Sequence, residues 1–121
     1  DMHAAPGSQG VTLGITDGFY PNNLWDYPVF QDVLVEIWDA ISDRYRDESR
    51  IAMYEFINEP NSVPGGGPAI RDLTQRLITM VRDKGDQHLI GVHGNGYSNV
   101  YDNMLPQDFS PNWGLVEFTQ P

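Results

Sequence analysis

The run Ile51-Ala52-Met53-Tyr54-Glu55-Phe56-Ile57, closed by Asn58-Glu59-Pro60, limits the folds open to this chain more than any other segment. A strand with one wet face alternates apolar and polar residues. A run that is apolar almost throughout needs cover on both faces, as in parallel sheets sandwiched by helices. Amphipathic segments flank it on either side. Over Tyr27–Arg46, the side chains of Val29, Phe30, Val33, Leu34, Ile37, Trp38, Ile41 and Tyr45 recur at helical spacing, while Asp32, Glu36, Asp39, Asp43 and Arg46 fall largely on the opposite face. Pro28 suits the first helical position. A second helix opens at Pro68 and runs to about Lys84, with Ile70, Leu73, Leu77, Ile78, Met80 and Val81 as its stripe. Lys84 suits its last turn and Gly85 its C-cap.

Further apolar runs predict strands over His88–Val92 and Trp113–Thr119, and Asn99–Leu105 predicts one or two helical turns. Asp1–His3 is too short to class from its pattern. Counting that end as a strand, the order is strand, helix, strand, helix, strand, short helix, strand. Such alternation implies an α/β fold of parallel strands with right-handed crossovers. Between the first two elements, Ala4 to about Leu24 reads as a long loop with turn signals at Pro6-Gly7, Asp17-Gly18 and Pro21-Asn22-Asn23. Loops of that length are often functional. The triplet Gly65-Gly66-Gly67 lacks the Lys and Ser/Thr of a phosphate loop and reads as a flexible linker. Gly94–Tyr97 reads as a loop, and Ser98 lacks the flanking glycines of a nucleophile elbow.

A chain of 121 residues can build one core. It is too short for a complete eight-fold strand–helix barrel, which needs roughly 250 residues. The net charge of −10 argues against nucleic acid and anionic membranes as partners. It is compatible with a neutral substrate such as a polysaccharide but does not select one, and single-sign charge that keeps a protein soluble is the plainer reading. The absence of cysteine excludes disulfides and thiolate metal sites. No apolar stretch approaches the ~18 residues of a membrane span. The chain starts at Asp1 and shows no signal peptide, and no obligate protein partner is evident.

Glu59 carries the chemistry in this reading. It stands where a buried strand meets a loop, and in parallel α/β folds active sites collect at that end. Pro60 disfavours the helical region for Glu59, so the strand is expected to stay extended through the carboxylate. A glycosidase needs an acid partly shielded from water, so that its pKa rises and it can protonate a leaving oxygen. An adjacent amide such as Asn58 can hold a sugar hydroxyl. An ordinary solvated Glu at a loop start fits the same pattern.

Four stretches together resemble glycoside hydrolase family 5, the cellulase and mannanase family of (β/α)8 barrels. Asp1-Met2-His3-Ala4-Ala5-Pro6-Gly7-Ser8-Gln9 resembles the family's third-strand signature. Phe30-Gln31 through Ile37-Trp38, Ile41 and Arg44-Tyr45 resembles its third helix. Tyr54–Pro60 resembles its fourth strand. His88-Leu89-Ile90 with Gly94-Asn95-Gly96-Tyr97-Ser98 resembles its fifth. The resemblance implies a parallel βαβαβ segment, about half of a TIM barrel from the third to the sixth strand, with residues 1–121 as part of a catalytic domain. It implies Glu59 as general acid/base, Asn58 on the sugar 2-hydroxyl and His3 in the glycone subsite. It also implies a secreted β-1,4-glycan hydrolase that works by double displacement without metal or organic cofactor.

This sequence departs from the family at two points. The family's nucleophile is a Glu on the seventh strand, which would lie beyond Pro121. The sixth strand usually ends in a His followed two residues later by a Tyr, where this chain has Thr119 and Pro121. Glu117 lies inside its strand and is not taken for the missing nucleophile. Glu55 and Glu59 share a strand face but stand ~13 Å apart along a straight strand, too far for a retaining pair. Glu55 is expected to pair with a base from elsewhere. His88 and His93 are predicted on opposite faces, which opposes a metal site built with His3; His93 ends its strand and either lines the cleft or packs a loop. Tyr97, Tyr20 and Trp25 are candidate sugar platforms, with Tyr97 assigned to substrate, and Trp113 reads as packing. A non-catalytic carbohydrate-binding α/β module is the alternative, and an unrelated α/β hydrolase or small doubly wound domain is a further rival. Reading past Pro121 separates them: the enzyme predicts a strand ending in Glu some ~60 or more residues downstream, the others an early stop.

Overall fold

The computed structural model describes residues 1–10, 22–100, 102 and 104, and the backbone of 116–119. Among these the elements are α1 (Asn23–Asp26), α2 (Pro28–Tyr45), β1 (Met53–Glu55), α3 (Gly66–Asp83), β2 (Leu89–His93), α4 (Asn95–Ser98) and β3 (Val116–Thr119). The strands lie in the order β1-β2-β3 and both pairings are parallel. The register sets Tyr54 beside Ile90 and Glu55 beside Gly91.

That register sorts the side chains. Tyr54 and Phe56 turn outward onto Trp38 of α2, with ring centroids 5.4 and 5.0 Å away, and the Trp38 indole N–H donates to the Phe56 carbonyl. Ile90 and Val92 are buried in the same core, against Leu73, Leu77, Ile78 and Val81 of α3. Met53 and Glu55 turn the other way: a Cβ on Gly91 would meet the Glu55 Cγ at 2.8 Å and the Met53 sulfur at 3.1 Å.

Both long helices match their sequence signals, with adjustments. Pro28 opens α2, as expected. The buried line of α2 is Leu34, Trp38 and Ser42, while Val29, Val33 and Tyr45, expected in its stripe, are exposed. Val29 and Val33 lie at the margin of the stripe and Tyr45 is the last residue of the helix. The helix α3 ends in a Schellman motif: the Gly85 N–H donates to the Arg82 carbonyl and the Asp86 N–H to the Val81 carbonyl, with Gly85 left-handed at φ 78°.

The glycine triplet is not a flexible linker. Gly65 caps α3 in the left-handed region, Gly66 begins the helix, and a Cβ on Gly67 would fall 1.8 Å from the Asp102 carbonyl oxygen. The helix therefore starts two residues before Pro68, because each glycine takes a backbone position that larger residues cannot. The segment expected to be loop as far as Leu24 carries α1, whose Leu24 is fully buried. The helical turns predicted over Asn99–Leu105 do not begin at Asn99; Val100 instead pairs with Asn95 in an antiparallel bridge. Leu105, Tyr20, Trp113 and Pro121 lie outside the described residues.

The N-terminal end of β2 is closed by a buried ion pair. Asp86 accepts from the Ser42 hydroxyl at 2.8 Å, from the His88 backbone N–H at 3.0 Å and from the His88 ring at 2.6 Å. The other His88 nitrogen donates to the Glu48 carbonyl at 3.0 Å. With both ring nitrogens donating, the imidazole is a cation. Burial pushes His88 toward the neutral form, but the Glu48 carbonyl and the Asp86 carboxylate outweigh it, and its pKa is raised from the ordinary 6.5. Burial likewise pushes Asp86 upward, and its hydrogen bonds from His88 and Ser42 leave it below the ordinary 3.8.

The sign of the pH dependence follows. The His88 contribution is complete below pH 6.5 and lost as pH rises through the raised value, while the Asp86 contribution is complete above pH 3.8 and lost as pH falls through the lowered one. Asp86→Ala strips three donors of their acceptor and is expected to cost roughly 3 kcal/mol. In denaturant titrations the gap between the native protein and Asp86→Ala should narrow as pH rises above neutrality; a gap unchanged with pH would remove the ion pair from the account.

Candidate active site

The strand β1 ends early for a definable reason. The Met2 N–H donates to the Glu55 carbonyl at 3.2 Å, and the Met2 carbonyl accepts from the Asn58 N–H at 2.9 Å. A regular parallel ladder bonds one residue to partners two apart. Here the partners are three apart, so β1 carries one extra residue opposite Met2, a β-bulge. Phe56 and Ile57 are in consequence both buried, and strict alternation stops. Beyond the bulge, Glu59 has φ 38°, in the left-handed region. The expectation that Pro60 keeps the strand extended through Glu59 is overturned: the bulge and the contacts around Asn58 and Glu59 override the local preference. The straight-strand separation between Glu55 and Glu59 does not apply across this bend.

His3 and Asn58 meet here beside Glu59, and the backbone of Tyr97 comes close. The buried Asn58 amide donates to His3 Nδ1 at 3.3 Å, and His3 Nε2 meets Asp1 Oδ2 at 2.9 Å. Glu59 is half-buried. Tyr97 is 37% exposed, and its backbone N–H donates to the Pro60 carbonyl at 3.3 Å. It sits in α4, a single turn in which Gly96 (φ 60°) and Tyr97 (φ 59°) are left-handed. The Asn95 side-chain oxygen ties that turn to the Val63 N–H across the mouth of the sheet.

Glu55 takes its base from β2. His93 Nε2 lies 3.3 Å from Glu55 Oε1, and His93 Nδ1 accepts from the Glu59 backbone N–H at 3.0 Å. Accepting at Nδ1 leaves the proton on Nε2, which donates to Glu55. His88 faces the other way, with its ring 4.8 Å from Tyr54 on the helix side. Among the described residues no group of three His, Asp or Glu converges as a metal site. Trp25 is engaged in packing, its indole N–H donating to the Gln9 carbonyl at 3.1 Å.

Gln9 is the residue that sequence reasoning did not single out. It is fully buried, and its amide group donates to the carbonyls of His3 (2.9 Å) and Asn58 (3.1 Å) while accepting from the Ala5 N–H at 3.1 Å. It follows the turn predicted at Pro6-Gly7, closed by the Ser8 N–H on the Ala5 carbonyl with Gly7 at φ 75°. No local pattern marks a glutamine whose partner lies 49 residues away.

A cavity of about 530 Å³ opens at the opposite end of the strands, lined by Glu48, Ile51, Ala52, His88 and Leu89 among others. It shares no residue with the cluster around Glu59.

Residues 16–115 match the model of the cellulase family, glycosyl hydrolase family 5. The chain belongs to this family. It is 26% identical over 106 residues to a β-xylosidase of Phanerodontia chrysosporium, a match covering 85% of this chain and 21% of that protein. It superimposes on the structure of XacCel5A in complex with cellopentaose with a TM-score of 0.67 at 20% identity, covering 84% of this chain and 34% of the other. Endoglucanase Cel5A from the hyperthermophilic Thermotoga maritima gives 0.64 at 19% identity, covering 78% and 30%. The chain thus spans about a fifth of the curated relative and about a third of these solved barrels. Its sheet of parallel strands is a section of a TIM barrel, as the sequence implied.

Within that section the inner face is tightly filled at Gly91. Gly91→Ala is expected to destabilise the protein by ~1–3 kcal/mol and to push Glu55 away from His93, because the new methyl would overlap the Glu55 stem. Denaturant unfolding and the Glu55–His93 distance in the variant's structure check this.

Proposed function

We propose that this family 5 chain is part of a retaining β-glycoside hydrolase acting on β-1,4-glucan, with Glu59 as its general acid/base. One observation carries the reading: Glu59 stands just past a bulge at the C-terminal end of a buried parallel strand, with Asn58 and His3 in contact beside it. Barrel enzymes collect their chemistry at that end. In the first step Glu59 protonates the departing glycosidic oxygen while a carboxylate nucleophile attacks the anomeric carbon. In the second Glu59 takes a proton from the water that releases the sugar. Asn58 holds the sugar 2-hydroxyl, His3 lines the glycone subsite and Tyr97 offers a ring face. Glu55 is held by His93 and is assigned a supporting role.

The nucleophile belongs to a barrel strand outside these residues, and the 121 residues alone are inactive. The surface supports a partial barrel. Val29 and Val33 of α2 are 60% and 39% exposed, and cavities of about 530 and 490 Å³ flank Met2. The match to a β-xylosidase favours a second substrate reading, a β-xyloside.

In the full-length enzyme, Glu59→Gln should lower kcat/KM on cellobiosides by ~10²–10⁴-fold, the loss growing with the pKa of the leaving group. Azide should restore part of the turnover as a glycosyl azide. A uniform loss on all leaving groups, without azide rescue, would remove Glu59 from the acid/base role. For the isolated 121 residues, Glu59-dependent turnover of an aryl β-cellobioside would overturn the partial-domain reading.

A further inference from the structure

The carbonyl of Asn58 and the N–H of Glu59 are the two polar ends of one peptide group. Gln9 Nε2 donates to the carbonyl at 3.1 Å, and His93 Nδ1 accepts from the N–H at 3.0 Å. The two side chains come from opposite flanks of the site: Gln9 from the segment bonded to β1 through Met2, and His93 from the end of β2. We propose that Gln9 and His93 are positioning residues that clamp the Asn58–Glu59 peptide plane and so set the direction of the Glu59 carboxylate.

The clamp has a specific conformation to resist. Rotating this peptide plane by half a turn carries the Glu59 φ from 38° to the extended region. That is the region a residue before proline prefers, and a non-glycine residue at positive φ is strained. The flip would point the Asn58 carbonyl at His93 and the Glu59 N–H at the Gln9 amide. A flipped plane leaves the fold intact but changes the φ of Glu59, and with it the side-chain rotamers through which the carboxylate can be aimed.

Both clamping groups are themselves fixed. Gln9 is fully buried, and its oxygen is committed to the Ala5 N–H, so its NH₂ group must face Asn58 and His3. The His93 proton sits on Nε2, toward Glu55, which keeps Nδ1 free to accept. Glu55 thus acts at one remove, by holding the His93 tautomer.

The inference rests on Glu59 being the acid, and the test separates the two. In the full-length enzyme, Gln9→Met and His93→Leu each remove one end of the clamp. His93→Asn leaves an oxygen near the Nδ1 position. Two readouts are taken: exchange of the Glu59 amide hydrogen, by NMR with 15N-glutamate labelling, and kcat/KM across aryl cellobiosides of graded leaving-group pKa. The clamp predicts ~10-fold or faster Glu59 exchange in His93→Leu and a loss of ~10–100-fold on the poorest leaving group, shrinking as the leaving group improves. His93→Asn should recover most of both, and Gln9→Met should repeat the leaving-group pattern. Equal behaviour of His93→Leu and His93→Asn, or unchanged Glu59 exchange in His93→Leu, overturns the clamp. If Gln9→Met fails to fold, the His93 pair decides alone. If Glu59→Gln shows no leaving-group dependence, the acid assignment falls, and amide exchange still rules on the clamp.

Discussion

The register of β1 against β2 governs the rest of this structure. With Tyr54 beside Ile90 and Glu55 beside Gly91, the outward residues meet Trp38 and α3, and the inward ones meet each other. A slip of one residue would turn Glu55 toward the helices and Tyr54 inward. The penalty would be a carboxylate left among apolar side chains without His93, a loss of several kcal/mol. The glycine at position 91 belongs to the same constraint, since only a residue without Cβ leaves room for Met53 and Glu55 on the inner face.

The regular ladder ends at Glu55, and the site begins where it ends. Held only by local preference, the chain would continue extended through Pro60. Instead a bulge opposite Met2 adds a residue, and two side-chain hydrogen bonds hold the next peptide. Each such bond contributes about 1 kcal/mol net, and a left-handed non-glycine residue costs of order 1–3 kcal/mol. The terms are of similar size, so one bond alone does not secure the conformation, and the two together with the bulge can. This is the physical reason for recruiting partners from both neighbouring segments.

What could be read from the sequence follows from the range of each interaction. Helical stripes, Pro28 at the start of α2 and the Schellman glycine at the end of α3 are local, and each was legible. So was the parallel order, and the family resemblance pointed to His3 and Asn58, which meet beside Glu59. The base that holds Glu55 was expected but not named, because His93 lies 38 residues away. The bulge, the left-handed Glu59 and the role of Gln9 were not legible. Each is settled by contacts between segments tens of residues apart. The glycine triplet misled for a related reason: glycine marks both freedom and close approach, and only the Asp102 carbonyl against Gly67 distinguishes them.

The two ends of the strands use similar chemistry for different ends. At the N-terminal end, Asp86, His88 and Ser42 form a buried charged group in which both carboxylate oxygens and both ring nitrogens have partners, and its product is stability. At the C-terminal end, His93 also pairs with a carboxylate, yet one of its nitrogens faces the backbone beside Glu59. The difference lies in the charge state each arrangement demands. His88 donates from both nitrogens and is held as a cation, whereas His93 must keep one nitrogen bare to accept. A proton on that nitrogen would face the Glu59 N–H, so the contact with the Glu59 peptide needs Nδ1 as an acceptor. Gln9 holds the other end of the same peptide. The Asn58–Glu59 peptide is therefore held by a fixed amide on one side and by a single tautomer of His93 on the other, and Glu55 sets that tautomer.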